Sequence, residues 1–140
     1  MKLNLKNFKN LPLSSNQKRL WIISQQDKNN PSYNLQLTYH LKGVLNYPLF
    51  QKSLDILFIR QHTLFSIFKQ KDGSPYCEII PRPVKISYID YSSEDPESGK
   101  KKIYAFIGKD TRIPFDLEVG PLYRLYLLKQ DEINYFFHTW

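Results

Sequence analysis

The most constraining stretch of the sequence is Tyr33–Lys42, where apolar and polar side chains alternate without a break before a helical pattern begins. One face of this stretch carries the apolar residues Tyr33, Leu35, Leu37, Tyr39 and Leu41. A period of two predicts a β-strand with one buried side. Shortly after Gly43, Asn46 can cap a helix and Pro48 fits its first turn. This order predicts a chain that mixes strands with helices.

Two helices are predicted from their caps and from apolar spacing. The first spans about 15–26, where Ser14 and Gln17 can form a capping box, each side chain bonding the backbone N–H of the other residue. The second spans about 46–62. Its apolar stripe consists of Leu49, Phe50, Leu54, Leu57 and Phe58. Residues of this type at helical spacing are interpreted as core rather than as a binding site.

A third helix is predicted after a cap at Asp95 or Ser93, with its end near Gly108. Residues 1–10 are interpreted as an extended or loose lead-in. Further strand-like segments follow the apolar runs at 64–68, 76–80, 84–91, 123–129 and 133–140. The turn formers of 71–75 and 130–132 predict hairpins between neighbouring segments.

Composition favours one packed domain in a reducing setting. The 140 residues, 41% of them hydrophobic, are enough for a core and argue against disorder. No run of about 18 apolar residues occurs and the N-terminus is a poor signal peptide, so no membrane association is expected. Cys77 is the single cysteine, which excludes an internal disulfide and favours a cytoplasmic location.

The charge balance predicts anionic partners. Lys and Arg number 20 against 13 Asp and Glu, a net charge of +7. Such a surface attracts phosphates, acidic carrier proteins or nucleic acid. The only basic run, Lys100–Lys102, is interpreted as a solvated face at a helix start, because no nucleic-acid-binding motif accompanies it. No nucleic-acid partner is therefore expected.

No self-contained catalytic signature occurs in the sequence. Zinc-binding His-Glu-x-x-His, a phosphate-binding loop, a Gly-x-Ser-x-Gly elbow and a dinucleotide fingerprint are all missing. The three histidines, His40, His62 and His138, lie far apart along the chain. His40 is interpreted as a surface or cleft-edge residue and His138 as a structural strand residue. Spacing alone therefore predicts no catalytic residue and no metal site.

Two stretches resemble motifs of one family. Residues 12–21 resemble the opening motif of the condensation domains of non-ribosomal peptide synthetases, Pro-Leu-Ser-x-x-Gln-x-Arg-Leu-Trp. The matching positions singled out are Ser14, Gln17, Arg19 and Trp21. Residues 60–68 resemble the second family motif, Arg-His-Glu-x-Leu-Arg-Thr-x-Phe, at Arg60, Leu64 and Phe68. They depart from it at Gln61, His62, Phe65 and Ser66, and Phe65 replaces an arginine.

A third stretch strengthens the resemblance. Residues 115–124 are similar to the family segment Phe-Asp-Leu-x-x-Gly-Pro-Leu-x-Arg. The positions singled out are Asp116, Gly120, Pro121 and Arg124. Physically, the Gly-Pro pair turns the chain into the strand that follows. The matches appear in the family's order and extend from Pro12 to Trp140.

The resemblance implies an α/β fold, an α+β two-layer sandwich of the chloramphenicol acetyltransferase-like type, with helices packed on a mixed sheet. Residues 1–140 would be the N-terminal lobe of a condensation domain. The lobe would end just before the family's active-site motif, His-His-x-x-x-Asp-Gly. The catalytic histidine would then follow Trp140, and no catalytic residue is assigned within the chain.

The implied reaction is amide formation between a carrier-bound acyl or peptidyl thioester and a carrier-bound aminoacyl amine. The implied partners are carrier protein domains and the C-terminal lobe of the same domain. No cofactor is expected to bind directly, since the 4′-phosphopantetheine arms of the carrier proteins act as substrates. Whether this chain is itself an enzyme stays open, and alone it is expected to be inactive.

Two alternatives remain at this point. The chain could be a non-catalytic module whose basic surface docks an acidic carrier protein. It could also belong to a coenzyme-A-dependent acetyltransferase of the same fold, although the missing histidine motif counts against that. Condensing, epimerising and cyclising subtypes are not separated by these residues.

Overall fold

The computed structural model describes residues 8–140 and contains helices and strands in a mixed order. In chain order the elements are β1 (Phe8–Pro12), α1 (Ser15–Gln26), β2 (Leu37–Lys42), α2 (Tyr47–Arg60), a 3₁₀ turn (His62–Phe65), β3 (Ser66–Lys71), β4 (Ser74–Ile79), β5 (Ser87–Asp90), α3 (Pro96–Asp110), β6 (Leu125–Lys129) and β7 (Asn134–Thr139). The strands form two sheets, in the orders β1-β4-β3 and β2-β7-β6-β5.

The four-stranded sheet is mixed and carries a helix on each face. β5 runs parallel to β6, whereas β6–β7 and β7–β2 are antiparallel. Phe58 of α2 packs in a cluster with Leu127 of β6, while Ile103 of α3 packs with the next residue, Leu128. Successive side chains of a strand point to opposite faces, so the two helices cover opposite faces. The predicted class, mixed α/β with helices on a mixed sheet, is confirmed.

Apolar side chains at the centre of this sheet are shielded from solvent. Ile103, Leu127 and Leu128 are fully buried. Each such side chain contributes roughly 1.5–3 kcal/mol through the hydrophobic effect. The core therefore holds both helices firmly against the strands.

The three-stranded sheet supports α1. The turn between β3 and β4 contains Asp72 and Gly73 with φ values of 49° and 76°. Two consecutive positive φ values are those of a two-residue type I′ hairpin, whose twist matches that of the strands. Trp21 of α1 packs with Leu13 and with Cys77 of β4, and all three are buried. This small cluster fixes the position of α1 on the sheet.

The predicted capping box of α1 is confirmed. The Ser14 hydroxyl accepts a hydrogen bond from the Gln17 backbone N–H at 3.3 Å, and the Gln17 side-chain oxygen accepts one from the Ser14 N–H at 2.9 Å. The box satisfies two backbone donors that the first helical turn leaves unpaired. Two family-motif positions thus have a local structural role.

Replacing Ser14 by alanine is expected to lower the free energy of unfolding by about 1 kcal/mol, because one N-cap acceptor is lost. Urea denaturation followed by circular dichroism measures the change. Ser15→Ala, one residue further on, is the matched control and should change little, since the Ser15 side chain is exposed and is not the cap. Equal losses in the two variants would contradict the capping role.

The prediction of a strand with one buried face over Tyr33–Lys42 is wrong for residues 33–36, which are not in a strand, and for the burial of the apolar face. β2 begins only at Leu37. Leu35 is 86% exposed and Leu37 is 56% exposed. The reason is tertiary: β2 lies at the sheet edge, paired with β7, and only Leu41 reaches the cluster under α2.

Several predicted boundaries shift. α3 runs past Gly108 to Asp110, and Asp95 is its cap, with the carboxylate accepting from the Ser98 N–H at 3.1 Å. The strands β5, β6 and β7 are shorter than the predicted segments. Of the predicted lead-in, residues 1–7 lie outside the described residues, while Phe8–Pro12 form β1 against β4.

Candidate functional site: a cleft beside α1

A cleft of about 190 Å³ lies between α1 and the segment that follows α3. Its walls are mainly apolar, with a few polar groups at its edge. Residues that line it include Gln17, Trp21, Asn34, Phe68, Phe115 and Leu117. An apolar concavity with few polar groups is the usual form of a small-molecule site.

The cleft brings together the three stretches that the sequence singled out. Gln17 and Trp21 come from the first motif, Phe68 from the second, and Leu117 from the third. These stretches are separated by about 50 residues each along the chain. No local interaction requires them to meet, so their convergence is a property of the fold.

The third motif is held against β3 and forms its own turn. The Phe68 N–H donates to the Leu117 carbonyl oxygen at 2.7 Å. The Asp116 carboxylate accepts from the backbone N–H groups of Glu118 at 2.9 Å and Val119 at 3.1 Å. Asp116 therefore shapes the turn, which places Leu117 in the cleft wall.

Two contacts hold the opposite sides of the cleft together. The Asn34 side-chain amide donates to the Ile113 carbonyl oxygen at 3.3 Å. Lys28 forms an exposed salt bridge with Glu118 at 3.3 Å. Exposed ion pairs contribute little energy. The width of the cleft is therefore set mainly by its apolar packing.

Arg124 connects the third motif to the end of β7. Its guanidinium lies 4.1 Å from the Phe115 ring centroid and 5.0 Å from that of Trp140. One of its nitrogens also donates to the Ile113 carbonyl oxygen at 3.0 Å. The arginine thus supports Phe115, one wall of the cleft, from behind.

The other motif positions do not reach the cleft. Arg19 is exposed on α1, and Arg60 is exposed at the end of α2. Leu64 is half-exposed in the 3₁₀ turn, and Gly120 and Pro121 form the bend before β6. Phe65, which stands where the family has arginine, is buried and packs 5.6 Å from Phe58, ring centroid to centroid. In this chain that position belongs to the core.

A buried polar cluster forms between the end of α3 and β7, and no pattern in the sequence predicts it. Asp110, at the end of α3, is 3% exposed and His138, in β7, is fully buried. Asp110 accepts hydrogen bonds from Arg124, Tyr126 and Trp140, while His138 Nδ1 bonds the Thr38 hydroxyl at 2.7 Å. His138 does not line the cleft. It lies within β7, as the sequence predicted.

The environment of His138 lowers its pKa. Burial is the largest cause of the lowered pKa. The Asp110 carboxylate, with an oxygen 3.6 Å from Nε2, acts to raise the pKa. The positive charge of Arg124 acts to lower it further. The groups that face the ring are Asp110 from α3, Arg124 and Tyr126 at β6, and Thr38 from β2. The ring is therefore neutral in the folded chain near pH 7.

This shift predicts acid destabilisation in a defined window. The ordinary pKa of histidine is 6.5. As the pH falls through that value the unfolded chain takes up a proton that the folded chain resists, so stability is full above it and declines below it. The slope is at most about 1.4 kcal/mol per pH unit. His138→Gln should flatten the decline between about pH 7.5 and 5.5 in urea denaturation, and His40→Gln, an exposed histidine, should not. An unchanged slope in His138→Gln would contradict the assignment.

Within residues 8–140, no three His, Cys, Asp or Glu side chains lie close enough together to hold a metal ion. No helix in the same range is long and apolar enough to span a bilayer.

Comparison with known proteins agrees with the motifs. The family model described as the condensation domain matches residues 7–139. Chondramide synthase cmdD of Chondromyces crocatus is 32% identical over 126 residues, which is 89% of this chain and 3% of that protein. Surfactin synthase subunit 2 of Bacillus subtilis strain 168 is 33% identical over 118 residues, 84% of this chain and 3% of that protein. The chain thus spans only a few per cent of these relatives.

Solved structures show the same fold. The starter condensation domain of rhizomide synthetase RzmA is similar with a TM-score of 0.85 at 21% identity, over 94% of this chain and 33% of that one. The first condensation domain of the calcium-dependent antibiotic synthetase gives a TM-score of 0.84 at 20% identity, over 94% and 32%. The chain spans about a third of each. This chain has the chloramphenicol acetyltransferase-like fold and covers part of a condensation domain. It belongs to the condensation-domain family of the non-ribosomal peptide synthetases.

Proposed function

We propose that this chain is the N-terminal part of a condensation domain that joins a carrier-bound acyl or peptidyl thioester to a carrier-bound aminoacyl amine. Residues 1–140 supply the scaffold and one wall of the substrate channel. The proposal assigns the groups that transfer protons to the family's active-site motif, at a position directly after Trp140. The observation that carries the proposal is the convergence of three family motifs on one cleft.

The cleft suits this role chemically. Attack of an amine on a thioester needs two reactants held in contact and shielded from water. Trp21, Phe68 and Phe115 provide an apolar wall, and Asn34 adds a polar group at its edge. Such a wall can pack against an acyl chain or a phosphopantetheine arm without reacting with either. The chemistry itself is then left to groups outside this chain.

Similar structures support the substrate class. One form of the RzmA starter condensation domain, similar with a TM-score of 0.85, is a complex with C8-CoA and Leu-SNAC. By analogy, the substrates proposed here are thioesters on the 4′-phosphopantetheine arms of carrier proteins. No cofactor beyond those arms is part of the proposal. The net charge of +7 favours acidic carrier domains as partners, and a cytoplasmic location is proposed with them.

The second proposed partner is the C-terminal lobe of the same domain. Leu35, Leu37 and Tyr39 form an exposed apolar strip along the edge strand β2 and the residues before it. Exposed apolar strips of this kind are usually covered by another surface. The solved relatives are about three times as long as this chain, so they contain enough further chain to form a second lobe.

The proposal is tested in the full polypeptide that contains this chain, with acyl-loaded and aminoacyl-loaded carrier proteins as substrates. Leu20 lines the cleft, whereas Ile22, two residues on in the same helix, is exposed and does not. Leu20→Trp is expected to narrow the cleft and to reduce amide formation about tenfold or more. Ile22→Trp is the matched control and should leave the rate within about twofold.

Three outcomes separate the hypotheses. Amide formation that Leu20→Trp reduces and Ile22→Trp does not supports the proposal. Equal rates in the two variants would remove the cleft from the substrate path. Salt-sensitive binding of loaded carrier protein by the full polypeptide, without turnover, would instead favour the non-catalytic docking module.

A further inference from the structure

Asp110 is a buried carboxylate with an unusual number of partners. It lies at the last residue of α3, where it is 3% exposed. Arg124 Nε lies 3.1 Å from one carboxylate oxygen, the Tyr126 hydroxyl donates at 3.0 Å, and the Trp140 indole N–H also donates to it. An isolated buried charge is costly, so each of these contacts stabilises the folded arrangement.

The partners of Asp110 all lie at one end of the four-stranded sheet. Arg124 directly precedes β6, Tyr126 is in β6, and Trp140 directly follows β7. The Trp140 backbone N–H also donates to the Arg124 carbonyl oxygen at 3.2 Å. Backbone and side chain of Trp140 are therefore held by two separate contacts.

Trp140 connects this cluster to the cleft. Its ring packs edge-on against Phe115, with 6.2 Å between centroids, and Phe115 lines the cleft. Its indole N–H is a donor without any acceptor capacity, so a carboxylate is a strong partner for it. A shift of the indole would change both the cleft wall and the direction in which the backbone leaves β7.

We propose that Asp110 is a positioning residue that anchors Trp140 and so sets where the chain leaves β7 beside the cleft. This inference rests on the proposed function for its catalytic consequence, because that proposal assigns the reacting groups to a position directly after Trp140. Arg124 is the counter-charge of the Asp110 carboxylate. Tyr126 donates to the same carboxylate from within β6, where its register partner in β7 is His138 and not Trp140.

The anchoring step is tested in the 140-residue chain by NMR. Trp140→Phe keeps a ring but removes the indole donor, and it identifies the Trp140 indole signal, since Trp21 is the other tryptophan. In Asp110→Asn we expect the Trp140 indole proton to move upfield and the Trp140 backbone amide to exchange with solvent about tenfold faster or more. Tyr126→Phe, which removes another donor to the same carboxylate, should leave both signals nearly unchanged.

The catalytic consequence is tested in the full polypeptide. Asp110→Asn and Trp140→Phe should each lower kcat about tenfold while KM changes less than about twofold, because geometry rather than binding is disturbed. The double variant should be no slower than the slower single variant, since both act through one contact. Tyr126→Phe should retain kcat within about twofold even where it lowers stability.

The outcomes are distinguishable. Unchanged indole and amide signals in Asp110→Asn would overturn the anchoring, whatever the activity. Changed signals with unchanged kcat would overturn the positioning role while the proposed function stands. Loss of kcat in Tyr126→Phe equal to that in Asp110→Asn would reduce Asp110 to a general stabilising residue. A parent polypeptide without amide formation would overturn the proposed function, and the NMR readout would still decide the anchoring.

Discussion

Gly120→Ala is expected to destabilise the folded chain by about 2–4 kcal/mol. Gly120 has a φ of +58°, where a side chain strains the backbone by about 1–2 kcal/mol. A Cβ at this position would also lie 2.7 Å from Cγ2 of Ile67, a distance at which one of them must move. Ile67 is buried in β3 and cannot move freely, and overpacking of this kind costs about 1–3 kcal/mol.

Two other glycines provide controls for this prediction. Gly73 has a φ of +76° but nothing within 4 Å of its added Cβ, so Gly73→Ala should show only the backbone strain, about 1 kcal/mol. Gly108 lies within α3 with open space around it, so Gly108→Ala should leave stability equal or higher by about 0.5–1 kcal/mol. Urea denaturation of the three variants measures the change in the free energy of unfolding. If Gly120→Ala lowers this free energy no more than Gly73→Ala does, the close contact with Ile67 is relieved at no cost.

Trp21→Ala is the second large effect, with an expected loss of about 3–5 kcal/mol in the free energy of unfolding. Trp21 is 4% exposed and packs with Leu13 and Cys77 in the small cluster under α1. Removing a buried indole forfeits its transfer free energy and leaves a cavity that its neighbours fill only in part. The loss should loosen α1 from the three-stranded sheet first.

The neighbouring residue gives the matched control. Ile22 is 60% exposed, so Ile22→Ala should cost less than about 1 kcal/mol on the same helix. Chemical denaturation compares the two variants, and near-equal losses would contradict the packing described for Trp21. Because Trp21 also lines the cleft, Trp21→Phe should widen the cleft with a smaller loss of stability than Trp21→Ala.

These two predictions give the family motifs a physical meaning. Gly120 and Asp116 make the turn that brings Leu117 to β3, and Trp21 holds α1 on the other side of the cleft. The structural roles of Gly120, Asp116 and Trp21 are enough to explain why they belong to motifs, without any contact with a substrate. The motifs therefore build the walls of the cleft before any chemistry is considered.

Local elements were predictable because their determinants are near neighbours in the chain. The capping box of α1 joins residues three apart, and the cap of α2, Asn46, accepts from the Leu49 N–H at 3.0 Å. The hairpin of β6 and β7 follows from two apolar runs around a short turn. Such patterns act within a few residues, so they can be recognised without knowing the fold.

The differences between prediction and structure have the opposite cause, because they depend on residues that are distant along the chain. Alternation predicts a buried apolar face on β2, yet periodicity says only that one face differs from the other, not whether anything covers it. The end of α3, predicted near Gly108, lies at Asp110, and the side chains that bind Asp110 come from residues 14 and 30 positions later. No local sequence pattern shows whether another element packs on a strand, or which distant residues bind a side chain at a helix end.

Residue types and short spacings were enough to predict the class of the fold, the helix caps and periodicity, and the family through three ordered motifs. They were not enough to predict which distant residues meet. Gln17, Trp21, Phe68 and Leu117 share one cleft, and Asp110 reaches Trp140, as a result of the tertiary structure. Those contacts arise when sheet pairing and core packing bring distant segments together. The long-range geometry of the sheets is thus what turns three separate motifs into a single candidate site.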